Sequence, residues 1–216
     1  MINLPKGTFF NKRIAKQKFY DKLSLSTNLE KQFVKEIDTI VWKNKISHET
    51  INLSIGTNVT EIEVFEITLK EQNISQNVIE FIDREIPYHL VFVLRYNDMA
   101  QICISFKEGS KNREGKFKVN SYYKTDWQKY EDLFLEIEGL DLDKVYENFM
   151  IQVSNGMLNI DDGLDIKDAV EKAKKKDKIE KYIQKLEEKI KNEKQFNRQV
   201  HLMGELRKVK KQLEVG

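Results

Sequence analysis

The sequence predicts an α+β fold in which a mixed, largely antiparallel sheet is covered by helices and followed by a C-terminal helical hairpin or long helix. Three observations carry this reading. A continuous apolar run of strand length, His89 to Tyr96, precedes a stretch in which Ile102, Ile104 and Phe106 alternate with polar positions. Capped segments with apolar residues three and four apart lie on either side of these strands. From Asp165 onward the pattern is helical, with no proline.

The elements follow in order. Thr27-x-x-Glu30 has the form of a capping box, and Leu29, Phe33, Ile37 and Ile40 at helical spacing predict a helix from about residue 28 to 44. Residues 60–70 read as a strand whose apolar positions change phase, Ile62 and Val64 on one face and Phe65, Ile67 and Leu69 on the other. That predicts a bulge or a strand covered on both sides. Ser75 caps a short helix carrying Val78, Ile79 and Ile82, which stops before Pro87. After residues 89–96, Asn97-Asp98 makes the turn of a hairpin with a central first strand. Phe117, Val119, Ser121 and Tyr123 alternate with Lys116, Lys118, Asn120, Tyr122 and Lys124 as a further antiparallel strand, and Leu133, Leu135 and Ile137 suggest a fourth. Asp141 caps a helix lined by Leu142, Val145, Tyr146, Phe149 and Val153.

The 216 residues, 40% apolar and 33% charged, are enough to bury a core. Charge is uneven: residues 166–216 carry 16 Lys or Arg against 9 Asp or Glu. We therefore divide the chain into an α+β domain (1–155), a linker (156–165) and a basic amphipathic helical arm (166–216) that forms a hairpin or coiled coil. Asn192-x-x-Gln195 as a new helix cap favours the hairpin over a single helix of about 74 Å. One cysteine permits no internal disulfide, the histidines at 48, 89 and 201 make no zinc cluster, and no phosphate-binding glycine loop is present, so no metal or cofactor is expected. No apolar run reaches the roughly 20 residues of a membrane span, and a soluble, cytoplasmic protein without membrane contact is expected.

Several phrases stand together in one order: Phe10-Asn11-Lys12-Arg13-Ile14, Ile40-Val41-Trp42-Lys43, Glu61-Ile62-Glu63-Val64-Phe65, Ile86-Pro87-Tyr88-His89, Thr125-Asp126-Trp127, the run from Gly139 to Phe149, and Glu193-Lys194-Gln195-Phe196-Asn197-Arg198. Over nearly the whole chain they resemble a bacterial and archaeal family of unknown function, domain of unknown function 4391, although Ala15 stands where relatives carry proline. The resemblance implies no activity. It implies a genomic neighbourhood of helicases and methyltransferases in restriction or phage-defence loci, and hence such a protein as partner.

Three sets of residues are candidates for function. Glu61, Glu63 and Glu66 lie on one strand and would be the ligands of a metal-dependent nuclease, against the ordinary reading of a solvated sheet edge. Lys107, Lys111, Arg113, Lys116, Lys118 and Lys124 cluster if their strands pair, with Tyr122 available to stack on a base. They would bind nucleic acid, or simply keep an open sheet face soluble, and Lys12, Arg13, Lys16 and Lys18 form a lesser basic patch. Ile183, Leu186, Ile190, Phe196, Val200, Met203 and Leu206 line the arm and need a protein partner, which is the other arm, the domain body or a second chain. Cys103 and Ser105 fall on the expected outer face of their strand without companions for nucleophilic catalysis. The leading expectation is a non-catalytic accessory protein of a DNA-processing complex that docks through its arm. A nuclease or a stand-alone nucleic-acid-binding module are the alternatives.

Overall fold

A computed structural model describes residues 2–21, 26–109, 117–160 and 165–215. The chain divides into two compact units, Met1–Met157 and Leu158–Gly216. In the first unit the strands β1 (Phe9–Ile14), β2 (Ile37–Ile46), β3 (Ile62–Leu69), β4 (His89–Tyr96), β5 (Met99–Gly109) and β6 (Phe117–Lys124) form a mixed sheet in sequential order, with the two-residue β7 (Gln128–Lys129) on β5. Only β3 and β4 run parallel, joined by helix α3 (Gln76–Glu85), and every other pair is antiparallel. The α+β expectation holds.

The sheet is covered on both faces. On one, Phe65, Ile67, Leu90, Phe92 and Cys103 pack with Phe33 of α2 (Thr27–Glu36) and with Val78, Ile79 and Ile82 of α3. On the other face, Val64, Val91, Ile102 and Ile104 are buried, as are Val145, Tyr146, Phe149 and Val153 of α4 (Leu142–Val153), which packs on β5 and β6. Burial on both sides is why β3 lacks a simple alternation: all but one of its residues are buried.

Several expectations need correction, each for a physical reason. The N-cap of α2 is Ser26, whose side chain accepts from the Leu29 amide, rather than Thr27. The expected helix to residue 44 ends at Glu36 and becomes β2. Between Ile37 and Thr39 the pairing with β3 slips by one residue, so this bulge returns Ile40 to the buried face three residues after Ile37 and mimics a helical period. The junction is tied on several sides: Lys70 Nζ donates to the Val34 carbonyl, Lys16 Nζ to the Ile37 carbonyl, and the Glu36 carboxylate accepts from the Ser75 amide and hydroxyl at the start of α3. Strand β1 was not anticipated. Residues 133–137 form no strand, and Leu133 and Leu135 are instead buried from an extended connection. Cys103 and Ser105 are fully buried, because α3 covers the face of β5 that the alternation left outward.

The loop before β3 is held by Asp143. Its carboxylate accepts from the backbone amides of Thr57, Asn58 and Val59, while neighbouring Asp141 caps α4 by accepting from the Lys144 amide. Gly56 passes so close that an added Cβ would lie 2.2 Å from Asp143 Oδ1.

The second unit contains α5 (Ile166–Asn192) and α6 (Phe196–Val215), packed together as a helical hairpin. Tyr182 OH donates to Glu205, Lys210 pairs with Glu187 at 2.8 Å, and Gln199 Nε2 donates to the Ile190 carbonyl. Asn192 ends α5, and the turn is closed by the Glu193 carboxylate accepting from the Gln195 amide, in place of the expected Asn192 cap. The expected linker overlaps residues 161–164, which lie outside the described residues. Among the described residues, no helix is long and apolar enough to cross a membrane.

Candidate functional site

A second bulge places the lysines that answer the acidic residues of β3. Between Trp42 and Asn44 the β2–β3 register slips again, with Lys43 as the extra residue. Lys43 and Lys45 would share a face on a regular strand. Here Lys45 Nζ meets Glu61 at 2.8 Å on the α3-covered face, whereas Lys43 Nζ lies 3.7 Å from Glu66 on the opposite one.

The alternation along β3 puts the three carboxylates in two separate places, Glu61 and Glu63 on one face and Glu66 on the other. Glu66 accepts from Tyr130 OH beside a cavity of about 310 Å³ that Ile2, Leu4, Phe9 and Val93 also line, and burial with this carboxylate pushes the Tyr130 phenol up. Glu63 is 2% exposed, and its Oε2 has no hydrogen-bond partner. Burial first, and then Glu61 beside it, push the Glu63 carboxyl up to about 9, so it keeps a proton at neutral pH. Hydrogen bonding to Glu61 raises the Lys45 ammonium. Glu61, Glu63 and Glu66 do not converge, and among the described residues no three His, Cys, Asp or Glu side chains gather as a metal-holding group.

The basic set on β5 and β6 is likewise divided. Lys107 is buried and points into the body, where its Nζ lies 2.7 Å from Asp83 Oδ1 and donates to the carbonyls of Asp83 and Tyr88. Tyr122 is half-buried against the α3-side core, and its hydroxyl donates to Asp83 Oδ2 at 2.8 Å. Burial lowers the Lys107 pKa and raises that of Tyr122, the nearby Asp83 charge adding to the latter. The cluster extends to His89, whose ring meets that of Tyr146 at 4.6 Å, and burial followed by the Lys107 charge drives His89 down to about 3. Lys124 is half-buried at the end of β6, and Lys118 lies on β6 opposite Glu108. Lys111, Arg113 and Lys116 fall outside the described residues. The alternation that placed Lys107 and Tyr122 outward identified their face correctly. It could not reveal that α3 covers that face and brings Asp83.

Of the arm residues, Ile183 and Leu186 are buried, and Ile190 and Leu206 are half-buried along the α5–α6 seam. Phe196, Val200 and Met203 are exposed by 75%, 51% and 42%. The apolar residues of the arm are therefore divided between a seam that closes on itself and an outer row at i, i+4 and i+7.

A family model described as Domain of unknown function (DUF4391) matches residues 2–213. The chain belongs to this family. No curated protein and no solved structure matches it. The family has no described activity, so the chemistry must be argued from the geometry above.

Proposed function

We propose that this DUF4391 protein is a non-catalytic accessory module that docks onto a protein partner through the outer face of α6. The observation that carries the reading is the divided arm: the hairpin satisfies its own seam with Ile183 and Leu186, yet Phe196, Val200 and Met203 remain exposed in one row. A solvated helix gains nothing from such a row, whereas a partner that covers it recovers roughly 25 cal/mol for each Å² of apolar surface removed from water. Exposed Arg207, one turn beyond Met203, continues the row, so the complementary surface is an apolar helix face with an acidic residue at one end. The family resemblance favours a helicase or methyltransferase of a DNA-processing complex as the protein bearing that surface. The separation of Glu61 and Glu63 from Glu66 supports a binding role over a nuclease one.

The test is affinity purification of the tagged full-length chain from its native host in moderate salt, beside a Val200→Asp/Met203→Asp variant. Both positions are exposed, so the variant is expected to fold normally while introducing two charges into the docking face. The reading expects a helicase or methyltransferase at near-stoichiometric amounts with wild type and its loss with the variant. Retention by the variant, or the absence of any such protein from the wild-type sample, overturns it.

A further inference from the structure

A groove of about 400 Å³ opens on the α3-covered face of the sheet, close to the edge strand β1. Its floor is aromatic and acidic: Trp42 and Phe65, with ring centroids 6.2 Å apart, lie beside Glu63. Lys12 and Arg13 from β1 and Lys18 from α1 (Gln17–Asp21) line its rim and are exposed, and none of them takes part in an ion pair among the described residues. The opposite rim carries Glu85, which pairs with Arg84 at 3.5 Å, and the partly exposed ring of Tyr88.

Each feature constrains the ligand. Glu63 Oε2 is buried and without a hydrogen-bond partner, which costs free energy unless a donor reaches it. A carboxyl oxygen with no donor against it offers its lone pairs to an N–H group. Aromatic walls suit a flat ring. Three cations facing one unpaired-with-them carboxylate, with Glu63 kept neutral, suit an anion. The volume lies in the range of small-molecule sites.

We propose that this groove binds a nucleoside monophosphate, free or at the end of a strand, with the base against Trp42 and Phe65, its amino group donating to Glu63 Oε2, and its phosphate held by Lys12, Arg13 and Lys18. This reading is independent of the docking face on α6, and either can fail without the other.

Isothermal titration calorimetry of the full-length protein against AMP, GMP and CMP, with ribose 5-phosphate and inorganic phosphate as base-free controls, tests it. Saturable binding is expected at least tenfold tighter for an amino-bearing nucleotide than for either control. Glu63→Gln keeps an oxygen for the groove while its amide donates to Glu61, and should retain binding. Glu63→Leu should fall to the level of ribose 5-phosphate. Lys12→Ala/Arg13→Ala, at exposed positions, should weaken nucleotide binding at least tenfold with an unchanged thermal melt, which keeps the test intact if Glu63→Leu does not fold. A 5′-phosphorylated oligonucleotide binding more tightly than its mononucleotide assigns the strand end as the source, and equal or weaker binding assigns the free nucleotide. Absence of saturable nucleotide binding, equal affinity for the base-free controls, or indifference to both the Leu and the double Ala variants overturns the proposal.

Discussion

The buried pair between α3 and β5 gives a quantitative test of how this fold is held together. Lys107 and Asp83 have no exposed side-chain surface, and the ammonium serves Asp83 Oδ1 at 2.7 Å, the Asp83 carbonyl at 2.8 Å and the Tyr88 carbonyl at 2.7 Å. Lys107→Ala removes all three contacts and leaves the carboxylate with the Tyr122 hydroxyl as its remaining donor among these contacts. Breaking a buried pair from one side costs about 3–5 kcal/mol, because the abandoned charge stays out of water. That is a large share of the roughly 5–15 kcal/mol by which a domain is stable. Replacing both partners, as Lys107→Met with Asp83→Leu, removes the charge as well as its answer and should recover most of the loss. Urea unfolding followed by tryptophan fluorescence reports on the right unit, since Trp42 and Trp127 both lie within residues 1–157. A Lys107→Ala loss below about 1 kcal/mol, or a double variant no better than the single one, would refute the reasoning.

Two shorter predictions concern the connections. Gly56→Ala and Asp143→Ala should each destabilise the first unit by about 1–3 kcal/mol and should not add, because both disrupt the one carboxylate that holds the amides of residues 57–59, as chemical denaturation of the single and double variants will show. In the arm, Leu186→Ala should cost about 2–5 kcal/mol at a fully packed seam position, while Val200→Ala on the outer face stays within about 0.5 kcal/mol, read from helical circular dichroism on heating.

How far the sequence discloses this molecule depends on whether local or tertiary forces decide. The β4–β5 hairpin, α3, α4 and the helical arm are set by periods and turn residues close in sequence, such as Asn97 at a φ of 51°, and were legible, although of the expected side-chain caps of α3, α4 and the arm only that of Asp141 on α4 forms, Ser75 giving its hydroxyl to Glu36 instead. Strand β2 was not, because its bulge at Asp38 gives Ile37 and Ile40 the spacing of a helix. The site was legible in residue type and not in arrangement. Nothing local announces that Asp83 reaches Lys107 across 24 positions, or that a bulge sends Lys43 and Lys45 to opposite faces, whereas the parting of Glu66 from Glu61 and Glu63 follows from simple strand alternation. The one available signal was chemical: Val, Ile, Thr and Trp crowd residues 37–42, a composition that suits a strand better than a helix.

Asp83 and Glu63 show how the same burial leads to different ends, and pH separates them. Asp83 meets a lysine and a tyrosine, whereas Lys45, opposite Glu63 across the strands, gives its short contact to Glu61, leaving Glu63 protonated up to about 9. The folded state therefore holds a proton that the unfolded chain releases above its ordinary value near 4.5, and stability falls by about 1.4 kcal/mol per pH unit from there to about 9. His89 acts in the reverse sense. It stays neutral in the fold down to about 3, while the unfolded chain takes up a proton below about 6.5, so its contribution is complete above 6.5 and is lost as pH falls toward 3. Between about 4.5 and 6.5 the two slopes are equal and opposite, and their sum is flat. Glu63→Gln should uncover the rise of stability with pH in that window and remove the loss above it. His89→Gln should uncover the fall. Stability profiles of the two variants that both run parallel to wild type from pH 4.5 to 6.5 would show that neither group carries its proton as the burial dictates.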